Sequence, residues 1–252
     1  MTKDGMTKDG MTKGTDSSIA VSADSLEKTV SARDGSLTIL SGLSLKIKSG
    51  ESVAIIGTSG SGKSTLLGIL AGLDLPTAGQ VHLSGKRIDH LDEDGRARVR
   101  ADHTGFVFQS FHLLPNLTAL ENVMLSLELA GVVNARERST ELLGRVGLAE
   151  RLTHYPKQLS GGEQQRVAIA RAFAGQPDIL FADEPTGNLD EKTGDTIIDL
   201  LFEVNREKNT TLILVTHDPI LAKRCDRALR LTAGKLVEEV KAHTKDSAEV
   251  SQ

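Results

Sequence analysis

The chain has 252 residues, enough to bury one large core or a core with an attached lobe. A formal net charge of −4 supplies no global field for nucleic acid, and the basic runs (Arg96, Arg98 and Arg100; Lys46 and Lys48) lack the interleaved aromatics of a nucleic-acid track. One cysteine, Cys225, excludes a disulfide within the chain and suits a reducing compartment, and no apolar run approaches the ~20 residues of a membrane helix.

Met1-Thr-Lys-Asp-Gly5 is repeated at 6–10, and Met11-Thr-Lys-Gly14 starts a third copy. Low complexity with few apolar residues predicts a disordered tail over 1–16, with no signal segment, before a folded domain at 17–240. Leu37, Ile39, Leu43, Leu45 and Ile47 alternate at period two, the pattern of a half-buried antiparallel strand. Next comes the apolar run Ser52–Ile56, and directly after it Gly57-Thr-Ser-Gly-Ser-Gly-Lys-Ser-Thr65, which fits the phosphate-loop pattern G-x-x-x-x-G-K-[ST]. Gly57, Gly60 and Gly62 let the loop that includes Thr58, Ser59 and Ser61 curl its N–H groups onto anionic oxygens. The apolar-faced helix that follows Thr65 adds its N-terminal partial charge. Lys63 can reach the β- and γ-phosphates, and the Ser64 hydroxyl can ligate Mg²⁺. The chain is expected to bind a nucleoside triphosphate.

Three later apolar runs, Phe106–Phe108, Ile179–Ala182 and Thr211–Val215, are nearly continuous, as in parallel strands covered on both faces. Helical stretches separate them, so an α/β fold is the economical one. Each run stops on a residue suited to phosphate chemistry: Gln109, then Asp183 with Glu184, then Thr216 with His217. Ligands of open α/β sheets bind off the carboxyl ends of the strands, so these ends should converge on one nucleotide. Asp183 is the carboxylate expected on the Mg²⁺ side, Glu184 can take a proton from water, Gln109 can sense metal or water without adding charge, and His217 can reach a γ-phosphate oxygen. Between Phe108 and Ile179, Ser160-Gly161-Gly162 opens another apolar-faced helix, a second anion-suited turn. Either the chain binds two phosphates, or one nucleotide is sandwiched between two copies. The polar stretch 241–252 reads as a C-terminal tail.

Read together, GTSGSGKST, Gln109, LSGGEQQR, ILFADE, Gly187-Asn-Leu-Asp190 and His217 resemble, in order, the Walker A, Q-loop, signature, Walker B, D-loop and switch histidine of ATP-binding cassette (ABC) transporter ATPases. The stretch Gly105–Val123 and the run DEPTGNLD are similar to the MacB and lipoprotein-release subgroup. The resemblance implies a P-loop NTPase (RecA-like) core, an antiparallel β subdomain and a helical signature-motif subdomain over about 110–165. It implies Mg-dependent ATP hydrolysis, with Gln109 joining Ser64 and Asp183 at the metal. It also implies a head-to-tail dimer in which Ser160, Gly161, Gly162 and Asp190 meet nucleotide held by the partner's Walker A. The further partner it implies is an integral membrane permease, which would hold the chain on the cytoplasmic face of the membrane. Phe111, Leu113, Leu114 and Leu117 could line the permease groove or form the core of the helical lobe. In most of the family an aromatic residue stacks on adenine; here that place falls at Val30, and no Phe, Tyr or Trp precedes Phe106. The scaffold cassettes of cell division, soluble cassettes and a non-hydrolysing switch are the competing classes; Lys63, Asp183, Glu184 and His217 together argue against the last.

Overall fold

The structure, a computed structural model, describes residues 19–32 and 35–241. The tails expected at 1–16 and 241–252 therefore lie outside the described residues, save for Lys241. An antiparallel ribbon of β1 (Ile19–Ala32) and β2 (Gly35–Lys48) leads into β3 (Ser52–Ile56) and helix α1 (Lys63–Leu70). A hairpin of β4 (Ala78–Leu83) and β5 (Lys86–Arg87) follows, then α2 (Glu93–His103) and β6 (Thr104–Phe108). Helices α3 (Ala119–Leu129), α4 (Ala135–Arg145) and α5 (Gly161–Ala174) precede β7 (Ile179–Asp183). The chain closes with α6 (Glu191–Lys208), β8 (Thr211–Val215), α7 (Pro219–Ala222) and the hairpin of β9 (Arg227–Thr232) and β10 (Lys235–Lys241).

Strands β10-β9-β3-β8-β7-β6 form a six-stranded sheet, parallel except at the β9–β10 edge, and β2-β1-β4-β5 form a separate antiparallel sheet. The continuous apolar runs are explained by two covered faces. Ile55, Phe181, Ile213 and Val215 pack on one side with Leu66 and Leu70 of α1 and Leu26 and Leu83 of the antiparallel sheet. Ala54, Leu180, Leu212 and Leu214 pack on the other with Phe173 of α5 and Ile197 and Leu201 of α6. Each fully buried Leu- or Phe-sized side chain stabilises the fold by about 1.5–3 kcal/mol. A third core, with Leu120, Val123, Leu127 and Leu143, holds α3 and α4 against Val167 and Ala170 of α5. Helix α5 thus joins the helical lobe to the sheet.

The β1–β2 ribbon departs from the simple alternation of its sequence. Leu43, Leu45 and Ile47 are buried, but Leu37 is 56 % exposed and Ile39 only partly buried. Register shifts between Ala23 and Thr29 interrupt the pairing, so the far end of the ribbon leaves the core and reaches over the phosphate loop.

Candidate active site

The phosphate loop leaves β3 at Gly57, where no side chain fits: a Cβ would lie 2.3 Å from the Leu231 carbonyl oxygen and 2.7 Å from Ser61 Oγ. Gly62, at φ +100°, caps the N-terminus of α1 in a left-handed conformation open to glycine. The loop curls around Lys63, which is buried and whose Nζ donates to the carbonyls of Gly57 (3.0 Å) and Thr58 (3.1 Å). Ser59, Gly60, Gly62, Lys63, Ser64 and Thr65 line a cleft of about 560 Å³ together with Glu184, His217, Leu37 and Ile39. A larger cavity of about 670 Å³ lies at the opposite end of the sheet, by Gly50, Asp178 and Thr211. It has no glycine-curled loop at a helix N-terminus, so the smaller cleft is the one with phosphate chemistry.

The carboxylate pair divides at the end of β7. Asp183 turns to Ser64, whose Oγ donates to its Oδ1 at 3.2 Å. Burial pushes the Asp183 carboxyl above its usual range, the Ser64 hydrogen bond and the Lys63 charge oppose this, and the neighbouring Glu184 adds to it. A cation at this point would relieve the desolvation, and a hydroxyl with a carboxylate is a hard-oxygen donor set that fits Mg²⁺. Among the described residues no group of three or more His, Cys, Asp or Glu could hold a metal by itself. Glu184 points elsewhere because its backbone is left-handed (φ 44°), fixed by its N–H donating to the Val215 carbonyl at 3.0 Å. A non-glycine residue there stores about 1–3 kcal/mol of strain. Its Oε2 lies 3.4 Å from Nδ1 of the exposed His217.

Gln109 directly follows β6, but its side chain does not line the cleft. Its Nε2 donates to Asn188 Oδ1 at 3.3 Å, and Asn188 Nδ2 donates back to the Gln109 carbonyl at 2.9 Å. The next turn is strained at Phe111 (φ 58°) and His112 (φ 49°), and Arg171 of α5 holds both carbonyls, at 2.9 and 2.6 Å. Desolvation pulls the Arg171 guanidinium below its usual range. Asn188 was placed in the D-loop by its motif and Arg171 had no signal at all; both bonds span long sequence distances without a periodic pattern. Of the apolar residues after Gln109, Leu113 packs partly buried against the lobe core, Phe111 and Leu117 are also half-buried, and Leu114 is 45 % exposed.

Ser160 caps α5: its Oγ accepts from the Glu163 N–H, and the Glu163 carboxylate accepts from the Ser160 N–H at 2.8 Å. That backbone bond, with Arg151 beside it, holds the Glu163 carboxyl below its usual range. Gly162 is required by packing, since a Cβ would meet Thr193 Cγ2 at 2.5 Å. Asp190 caps α6 by accepting from Thr193 N–H at 3.0 Å, and hydrogen bonds from the Thr193 side chain and then its backbone hold the carboxyl below its usual range. Gln165, fully buried, donates to the Pro185 carbonyl and so ties α5 to the loop after Glu184. None of the described residues lining the cleft belongs to 159–166.

A phosphate loop, a divided carboxylate pair and a histidine, each at the carboxyl end of a parallel strand, define a P-loop nucleotide hydrolase. The family model described as ABC transporter matches residues 40–187, and the chain belongs to that family as an ATP-binding subunit that hydrolyses ATP to ADP and phosphate. It is 59% identical over 216 residues to the ABC transporter ATP-binding protein YbbA of Escherichia coli K12, covering 85% of this chain and 95% of that protein. The lipoprotein-releasing system ATP-binding protein LolD of Xanthomonas oryzae pv. oryzae is 49% identical over 220 residues, covering 86% and 90%. The dimeric post-hydrolysis structure of the ATP-binding cassette MJ0796, bound to ADP and Pi, superimposes with a TM-score of 0.82 at 42% identity, over 89% of this chain and 99% of that one.

Proposed function

We propose that two copies of the chain close head to tail around two Mg-ATP molecules and drive a separate membrane permease that exports or extracts a lipophilic or lipoprotein-like substrate. The observation that carries this reading is the mismatch between the two glycine-rich helix ends. The phosphate loop lines its own cleft, whereas Ser160–Gly162 lies outside it with a helix N-terminus to offer to another molecule. The MJ0796 cassette, solved as a dimer with ADP and Pi, supports the pairing, and the LolD relative of a lipoprotein-releasing system supports the substrate class. No helix among the described residues is long and apolar enough to cross a membrane, so the membrane part of such a machine would come from the partner. Ser64 and Asp183 would hold Mg²⁺, which when bound neutralises charge shared by the β- and γ-phosphates. Glu184 would orient water and accept its proton, and His217 would steady Glu184 and the γ-phosphate.

The test is a pull-down of Glu184→Gln with Mg-ATP from detergent-solubilised native membranes. Stoichiometric recovery of an integral membrane protein is expected. Recovery of soluble partners only, with the ATP-bound dimer demonstrably formed, would move the assignment to a cassette outside transport.

The cleft also bears on the base. Val30 pairs with Leu37 across the ribbon, and Leu37 and Ile39 give the cleft an aliphatic wall. Without a ring to stack on, the base contributes ~1 kcal/mol less, roughly fivefold in affinity. Phosphate and metal contacts then dominate, so ATP and GTP should compete nearly equally for the site. A large preference for ATP in competition binding would count against the aliphatic wall as the base contact.

A further inference from the structure

The left-handed turn at Glu184 is strained, and such a conformation persists only where its surroundings over-determine it. Two backbone bonds hold it, Glu184 N–H to the Val215 carbonyl and Gly187 N–H to the Glu184 carbonyl, both at 3.0 Å. The third is a side-chain bond. Gln165 reaches from α5, 20 residues back in sequence, and its Nε2 donates to the carbonyl of Pro185, the residue directly after Glu184. That carbonyl can only accept, which fixes the amide with its nitrogen on Pro185. Gln165 is fully buried, and its Oε1 has no hydrogen-bond partner among the described residues. A buried acceptor without a donor destabilises the fold, so an apolar side chain of the same length would cost less here if the Pro185 bond did nothing. Pro185 is itself buried, so solvent is a poor substitute for that donor.

We infer that Gln165 is a positioning residue for hydrolysis: it pins the Pro185 carbonyl and so keeps Glu184 in the left-handed conformation that places its carboxylate in the cleft. This role presupposes the reading that Glu184 accepts the proton of the attacking water. Glu184 lines the cleft and lies 3.4 Å from His217, whereas Gln165 lines none of it and acts only through the backbone. Without the Pro185 anchor the Glu184 backbone can relax towards negative φ. The carboxylate then leaves its place, while the phosphate loop, on another strand, is untouched.

The test sets single-turnover hydrolysis beside equilibrium ATP binding in the full chain. Gln165→Met, which keeps the length and removes the donor, should slow hydrolysis about three- to tenfold, the scale of one lost hydrogen bond, and leave ATP affinity unchanged. Gln165→Asn, whose amide stops one methylene short of the carbonyl, should show the same split. In a Glu184→Gln background, Gln165→Met should slow the residual reaction no further, because no base is left to misplace. An unchanged rate in both variants, an equal loss of ATP affinity, or a further loss in the Glu184→Gln background would overturn the assignment. Failure of both variants to fold would overturn it too, making Gln165 a structural residue. Near-normal hydrolysis in Glu184→Gln alone would instead remove the general-base reading beneath it.

Discussion

Glu184→Gln should bind ATP at least as well as the wild type while hydrolysis falls by about 10²-fold or more, the contribution of a general base. Glutamine is nearly isosteric, and the bonds that shape this turn are backbone ones: Glu184 N–H to the Val215 carbonyl, and Gly187 N–H to the Glu184 carbonyl. The substitution therefore leaves the left-handed turn in place and removes only the capacity to take a proton. It also removes one negative charge from a cleft built for a polyphosphate, which favours ATP retention. Asp183 is badly placed to substitute, because it is turned to Ser64 at the metal side of the loop. His217 is 3.4 Å from Glu184 and can orient the residue, but its imidazole lies on the exposed rim. Phosphate release under single-turnover conditions, measured beside equilibrium ATP binding, separates the two effects. Near-normal turnover would remove Glu184 from the role. In the head-to-tail dimer proposed above, the same variant should trap the closed pair.

What was legible in the sequence had a short-range cause. The central strands announced themselves because β3, β7 and β8 are covered on both faces, leaving no position for a polar residue until the strand ends. The phosphate loop was legible because its curl leaves no room for a Cβ at Gly57 and needs a left-handed residue at Gly62. Strand β1 was hidden, because its bulged pairing with β2 and β4 destroys the alternation that marks a half-buried strand. Leu37 was expected to face the core by period two, yet it faces the cleft for the same reason. The neighbours of Gln109 were hidden in another way. Asn188 lies 79 residues away and Arg171 reaches Phe111 across 60, through bonds to backbone carbonyls that any residue supplies. Such bonds carry no periodicity and no composition signal, so only the folded geometry reveals them.

Lys63→Ala should lose nucleotide binding by roughly 10- to 100-fold, the scale of one hydrogen bond to a charged group of about 1.5–3 kcal/mol. The side chain is only 7 % exposed and already wrapped by its own loop, so its ammonium is positioned before any phosphate arrives. The two carbonyls it bonds, Gly57 and Thr58, belong to that same loop, so the native fold loses a local brace and no long-range contact. Thermal stability should therefore change little while affinity collapses. Lys63→Arg should fail as well, because a planar fork cannot occupy a point cradled between two carbonyls of one tight turn. The loss should be the same in the presence and absence of Mg²⁺, since the lysine acts on phosphate directly. This separates two groups that share one cleft. Lys63 variants lose binding under all conditions, whereas Glu184→Gln keeps binding and loses turnover. Unchanged nucleotide affinity in Lys63→Ala would mean that the loop's backbone N–H groups carry the phosphates alone.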